Sequence, residues 1–382
     1  MSWKKVHSSW LMANGKWLIA ISYQLLAIGI FILFFQSCMN DDSLRDFERL
    51  NQNNIEEGVF ILNEGNFMYS NASLSYYNPK IKAITNDVFY KTNALPLGDV
   101  AQSITINDSI AYVVLNNSGK IYIINTKTFK YIGKITGLTS PRYIHLIDEN
   151  KAYVSDLYAK AISIIDLQTN TITGQISTGN IESTEQMQQL GKYVYVACWS
   201  YNNKILKIDT ETNAIVDSLT ITKQPNSLRI DKNNMLWVLS DGGFTGSSYG
   251  QDTSALTKID LQSFTISKVL KFPEYDASPS KLQMNSTKDS LFFIYNNWGG
   301  ASVSNSGIYT MSINDTELPA NPIIAQANRL IYALGISQNS EIYVSDSKNY
   351  SQAGTVYRYN SSYTAIDTFD VGIAPNCFGF CY

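Results

Sequence analysis

Between residues 193 and 231 the chain alternates apolar and polar positions in four short runs, 193–197, 205–208, 215–221 and 228–230. Alternation with a period of two describes a half-buried β-strand, because successive side chains point to opposite faces. Turn-forming residues separate the runs at 200–203, 210–213 and 223–226, so the stretch predicts a small antiparallel sheet. The same pattern recurs at 153–166, YVSDLYAKAISIID, and at 112–125, YVVLNNSGKIYIIN. Each copy has an apolar strand, a polar loop, a second strand ending in Ile-Asp or Ile-Asn, and a Thr or Ser three residues on. Such an Asp or Asn can accept hydrogen bonds from backbone N–H groups two residues ahead and so close a hairpin. Divergent versions at Asp260, Asn314, Asn360 and Asn78 bring the total to seven units.

Four strands per repeat at a spacing of roughly 40 to 50 residues predict a β-propeller. Each unit is preceded by a strand that starts near Pro-x-x-apolar, as at Pro141, Pro225 and Pro279, with looser forms at 101–104, 184–187 and 331–334. The first unit, which begins at Gly58, has no such strand in front of it, whereas the chain ends on one that starts at Pro375. The expectation is an all-β, seven-bladed propeller over residues 58–382. Its C-terminal strand would complete the N-terminal blade, leaving no open sheet edge.

Residues 1–37 are different in kind. Lys4, Lys5 and Lys16 precede an apolar run from 17 to 35, and the run stops at Gln36-Ser37-Cys38. A basic start, an apolar stretch and a small residue form a secretory signal, and the Cys after the small residue resembles a bacterial lipobox. That resemblance implies cleavage before Cys38 and lipidation of its thiol. The alternative is an uncleaved anchor, since the apolar run is long enough to span a bilayer. Polar residues 38–57 read as a tether. Without residues 1–37 the chain carries 26 basic and 32 acidic residues, which argues against nucleic acid as a partner because a phosphate backbone demands a basic surface. Cys198, Cys377 and Cys381 are expected as free, mostly buried thiols. Cys377 and Cys381, four apart on a predicted strand, stand about 13 Å from each other, too far for a disulfide.

Absences limit the chemistry. His145 is the only histidine outside residues 1–37, so neither a His-rich zinc site nor a two-histidine acid–base pair is available within one chain. His145 itself is expected as a satisfied structural residue near the ring axis. No nucleophile elbow, phosphate-cradling loop or zincin helix occurs, and no cofactor is called for. Glu64, Asp156, Asp241 and Asp346, all read as lying just after a second strand, are the candidates for a metal-dependent lactonase or lyase; turn formation is the simpler role for such residues.

The positive signal is in the loops between second and third strands, which in a propeller share one mouth of the ring. They carry Phe67, Tyr69, Tyr158, Trp199, Tyr201, Phe244, Tyr249, Asn297, Trp298 and Tyr350, interleaved with Gly, Ser and Asn. That composition combines rigid apolar area with adaptable hydrogen bonding. The loops at 240–254 and 296–307 are also longer than a hairpin requires. Arg142, Tyr143, Asp156, Glu185, Asn226, Asp241 and Asn376 are expected at the same mouth from the strand ends. The expected site is an aromatic-lined funnel that binds a large, weakly charged polar ligand without changing it.

The repeated units resemble the YncE-like, surface-layer-type propellers. Together with Cys38 and the acidic Asp41 and Asp42 behind it, the chain resembles the Bacteroides-group surface lipoproteins typified by the BtuG cobalamin-capturing proteins. The resemblance implies a corrinoid held in the funnel, a TonB-dependent outer-membrane transporter as partner, and an outer-membrane location at the cell surface through a lipid anchor. It transfers no ligand residues position by position. A glycan-binding surface protein, a metal-assisted lactonase or lyase, and a protein-binding scaffold remain as other readings of the same architecture. A closed ring gives no reason to expect more than one copy.

Overall fold

A computed structural model describes residues 57–297 and 305–382. The signal-like segment, Cys38, the tether up to residue 56 and Trp298 lie outside the described residues. Seven four-stranded antiparallel sheets follow one another around a ring. The innermost strands of blades two to seven are Ala101–Asn107, Pro141–Leu146, Thr184–Leu190, Pro225–Ile230, Ser280–Met284 and Ile331–Ile336. Blade one takes its innermost strand from the other end of the chain: Pro375–Cys381 pairs antiparallel with Gly58–Asn63, with Val59 opposite Phe380 and Ile61 opposite Phe378. The predicted seven-bladed ring and its mode of closure are both present.

Residues 193–231 contain the four predicted strands, but they do not form one sheet. Tyr193–Cys198, Lys204–Asp209 and Ala214–Thr220 are the outer three strands of blade four, while Pro225–Ile230 crosses to blade five and pairs with Met235–Ser240. The crossing staples adjacent blades together through the backbone. Six of the seven predicted Asp and Asn turns form. Asp209 Oδ1 accepts from the N–H groups of Glu211 and Thr212, Asp166 from Gln168 and Thr169, and Asn125 from Lys127 and Thr128. Asp260, Asn78 and Asn360 do the same for their own hairpins.

Alternating residues from facing sheets fill the wedges between blades. Trp237, fully buried, packs with Leu256, Phe272, Phe293, Tyr295 and Tyr309 between blades five and six. Its indole Nε1–H donates to the buried Asp231 at 2.9 Å, which satisfies the one polar atom that burial would otherwise strand. Among the described thiols all three are free, as expected, but only Cys198 is buried; Cys377 and Cys381 are half-exposed, so the expectation of mostly buried thiols does not hold for them.

Candidate functional site

A regular hydrogen bond defines the mouth of the ring. In six blades the residue that follows the second strand donates its N–H to the carbonyl just ahead of the innermost strand: Glu64 to Ala374, Asn116 to Val100, Leu157 to Ser140, Trp199 to Ser183, Asp241 to Gln224 and Ser347 to Leu330. In blade six the direction is reversed, from Ser278 N–H to the Asn296 carbonyl. These bonds bring the second-to-third-strand loops and the starts of the innermost strands to one end of the ring.

At that end, every innermost strand carries an irregularity. The register slips between the first and third or fourth residue in all seven, for example between Ala101 and Ser103, Pro225 and Ser227, and Pro375 and Cys377. A bulge re-aims the side chains around it. Here the result is one side chain per blade on the axis: Gln102, Arg142, Glu185, Asn226, Ser280, Tyr332 and Asn376 all line a cavity of about 390 Å3. Glu64, Trp199 and Asp241 reach the same cavity from the loops, and Tyr143, Gln186, Ser227 and Lys281 from the next position along the strands.

The wall is polar and paired. Arg142 Nε lies 2.6 Å from Glu185 Oε1, and Arg142 Nη1 donates to Gln102 Oε1 at 2.6 Å. Burial raises the Glu185 carboxyl above its usual range even though Arg142 opposes the shift. Trp199 Nε1–H donates to Asp241 Oδ2 at 2.9 Å, and the Trp199 ring lies 5.8 Å from the Arg142 guanidinium carbon. Burial pushes Asp241 up to about 6, against the hydrogen bonds from Trp199, Gly243 and Asn226. Glu64 accepts from the Tyr332 hydroxyl; its carboxyl is raised by burial, with Tyr332, Lys281 and Arg142 pulling the other way. Lys281 Nζ donates to both the carbonyl and the side-chain oxygen of Asn376, at 3.0 and 2.6 Å, and burial lowers its pKa.

Around this polar cup stand the rim aromatics. Phe67, Tyr69, Tyr158, Tyr201, Phe244 and Tyr249 are all exposed. Tyr201 and Tyr249 stack with ring centroids 4.3 Å apart, so loops of blades four and five meet. Tyr350 sits edge-on to Tyr332 at 5.2 Å, and its carbonyl accepts from Asn66 Nδ2 at 2.5 Å. Asn297 is half-buried at the start of its loop.

Four carboxylates that share one expectation separate into two pairs. Asp156 and Asp346 are the last residues of their second strands, opposite Pro141 and Ile331; Glu64 and Asp241 come one residue later. A one-residue offset turns a strand side chain to the other face. Asp156 is consequently a turn residue rather than a ligand: Oδ2 accepts from Ser140 N–H, and Oδ1 from Tyr158 and Ala159 N–H. Asp346 accepts from Leu330 and Lys348 N–H in the same way. Among the described residues no three His, Cys, Asp or Glu side chains stand close enough to hold a metal ion. Gln102, Gln186, Ser227, Ser280, Lys281 and Tyr332 were not expected at the mouth. The second position of the innermost strand identifies Gln102 and Tyr332, once the offset of Arg142 and Asn226 is applied, while Ser280, the first residue of its strand, is found by counting one residue on from Pro279.

The profile of DUF5074, a domain of unknown function, matches residues 57–371. The chain belongs to the DUF5074 family. Its curated relatives include the seven-bladed beta-propeller protein Rv1057 of Mycobacterium tuberculosis, 26% identical over 35% of this chain and 34% of that protein. Antigen Lp49 of Leptospira interrogans is 29% identical over 24% of this chain and 23% of the antigen. This DUF5074 chain thus matches about a third or less of the length of either relative. Among solved structures, a quinonprotein alcohol dehydrogenase-like protein from Bacteroides thetaiotaomicron superposes with a TM-score of 0.63 at 17% identity, covering 86% of this chain and 79% of that one. A periplasmic gluconolactonase from Pseudomonas aeruginosa superposes with a TM-score of 0.64 at 8% identity, covering 85% and 99%. At those identities the likeness is one of fold alone.

Proposed function

We propose that this DUF5074 propeller is a capture protein that binds a large, amide-rich polar ligand at its mouth, a corrinoid being the leading candidate. The observation that supports this reading is the convergence of one bulge-aimed side chain from each of seven blades on a single cup, ringed by exposed aromatics. A cup of about 390 Å3 is small among small-molecule sites of roughly 300–1,000 Å3. A corrinoid would therefore seat one amide-bearing edge against Arg142, Asn226, Lys281 and Asn376 while its face rests on Tyr201, Tyr249 and the other rim rings. The wall groups are mostly committed to one another, which suits recognition more than turnover. Lipidation at Cys38, display at the cell surface and transfer to a TonB-dependent transporter belong to the same proposal, and rest on the resemblance of residues 17–42 and of the repeats.

Calorimetry with cyanocobalamin and cobinamide tests the reading. Saturable binding is expected, with Trp199→Ala and Tyr201→Ala each weakening it by about 1–2 kcal/mol, as the loss of an aromatic that the ligand covers does. No heat with either corrinoid would end the corrinoid assignment, and a glycan array would then decide the glycan alternative.

A second reading rests on one observation, the Asp241 carboxyl held at about 6 inside a cleft, which is where a general acid is poised. It predicts turnover of a lactone or an ester that Asp241→Asn abolishes while ligand binding persists.

A further inference from the structure

Below the mouth the ring axis opens into a second cavity of about 470 Å3 at the far end of the innermost strands. Gln102, Tyr143, Gln186, Lys281 and Asn376 form a waist, since they line both spaces. The electrostatics differ sharply across that waist. The mouth holds Glu64, Glu185 and Asp241 beside its cations, whereas no Asp or Glu lines the far cavity. Its charged lining consists of Arg229 and Lys281, with His145, Gln188 and Gln283 as further polar groups.

Arg229 is half-buried against the axial cavity and has no ion-pair partner among the described residues. Nη1 donates to Gln186 Oε1 at 3.0 Å and to the Leu228 carbonyl at 2.6 Å, and Nη2 donates to Gln283 Oε1 at 2.5 Å. All three acceptors are neutral, and the donors left over include Nε. Burial lowers the guanidinium to about 10, and it stays charged at neutral pH. Removing an arginine from water without a compensating anion is costly, and buried charges are ordinarily paired. Gln186 and Gln283 turn their oxygens toward Arg229, and both side chains also line the far cavity. Lys281, whose two hydrogen bonds both go to Asn376, brings a second cation to the waist. Its backbone there is left-handed, at φ 58, a conformation rarely adopted by a residue with a side chain.

We infer that the far half of the axial channel is a binding site for a small oxyanion, held by the free edge of Arg229, with Gln283 and Lys281 as further donors. A planar guanidinium fork matches carboxylate, phosphate and sulfate alike, and those are the ligand classes. The site meets the mouth at Lys281, which lines both spaces, but Arg229 and Gln283 line the far cavity alone, so the assignment does not rest on the identity of the mouth's ligand.

The test is thermal unfolding of the full chain at constant ionic strength, with sulfate, phosphate or acetate replacing chloride. At least one oxyanion is expected to raise Tm saturably, and the arm that does so identifies the class. Arg229→Gln should weaken the apparent affinity about tenfold or more, as loss of a charge-assisted hydrogen-bond pair does. Gln283→Glu is the decisive variant because it places a carboxylate against Arg229 Nη2. It should raise Tm in chloride and abolish the response to oxyanions, and it remains informative if Arg229→Gln fails to fold. No oxyanion effect beyond chloride, or an undiminished effect in Gln283→Glu, would overturn the assignment.

Discussion

Whether a carboxylate at the end of a second strand belongs to the scaffold or to the site depends on one residue of offset. Asp156 and Asp346 finish the strand and cap the turn that follows, while Glu64 and Asp241, one step on, face the axis. Asp241 therefore lacks the dense backbone capping that holds Asp156 and is left where burial raises its pKa to about 6. The consequence for stability has a definite sign. A carboxyl whose folded pKa is above its unfolded value near 3.9 binds more protons in the native state, so stability is lost as pH rises from about 4 to about 6 and is flat above that. Asp241→Asn should flatten this part of the profile, as urea midpoints measured at several pH values would reveal; an unchanged slope would mean that Asp241 titrates normally. The arrangement of residues was partly legible. Arg142, Glu185, Asn226 and Asn376 stand out because a Pro or polar residue marks the strand entry. Lys281 does not, because the bulge puts it on the axis one position later than the pattern Pro279-Ser280 suggests.

At the scale of elements, the strands and their Asp and Asn turns follow from period-two alternation and local side-chain acceptors, which is why they can be read without coordinates. Assignment of strands to sheets is harder to read, because residues 225–230 are as close in sequence to blade four as to blade five, and only the hairpin at 231–234 favours the latter. The short helix Val88–Asn93 went unanticipated, since six residues carry too little periodicity to register. The long loop 240–254 was legible as an oversized insertion, but its order comes from contacts that no periodicity encodes. Gly242 N–H donates to the Lys223 carbonyl at 3.0 Å, Asp252 N–H donates back to Gly242 at 2.9 Å, and Lys223 Nζ reaches the Tyr249 carbonyl at 2.8 Å. Gly242 sits at φ 81, and a Cβ there would stand 2.2 Å from the Asp252 carbonyl oxygen. Gly246, at φ 86, has nothing within 4 Å of the same position. Gly246→Ala should thus cost only the left-handed backbone term of about 1–2 kcal/mol, whereas Gly242→Ala must also displace the loop backbone and should cost more and loosen the Tyr201–Tyr249 stack. Chemical denaturation of the two variants makes the comparison, and equal costs would show that the loop adjusts freely.

For the whole molecule, the ring holds because its ends are sewn into one sheet. Pro375–Cys381 covers the strand Gly58–Asn63, and it brings Phe378 and Phe380 against Tyr343 of blade seven, at ring centroid distances of 5.9 and 5.5 Å. A second seam joins the same two blades farther out. Tyr77 stacks on Phe369 at 4.1 Å, and Arg358 spans Glu341 and the Tyr77 hydroxyl. Closure was legible because one blade's worth of pattern is missing its first strand at Gly58 and the surplus strand appears after Pro375. The side-chain seam was not, since Tyr77 and Phe369 are distant in sequence and neither lies in a motif. Truncation after Ala374 should therefore expose Gly58–Asn63 as an unpaired edge and strip Tyr343 of two aromatic neighbours, with loss of cooperative unfolding and gain of aggregation. That outcome alone would not separate closure from simple loss of apolar area, but a rearranged chain does. Gly58 pairs directly with Cys381, so residues 375–382 can be placed ahead of residue 58 through a tight hairpin turn without altering any pairing in the sheet. If the ring is held by that strand and not by where the chain happens to end, the permuted protein should recover a single sharp unfolding transition and match the unpermuted chain, free of aggregates, in light scattering. A permuted protein as aggregation-prone as the truncated one would show that the covalent route through blade seven, rather than the sheet it completes, keeps the ring shut.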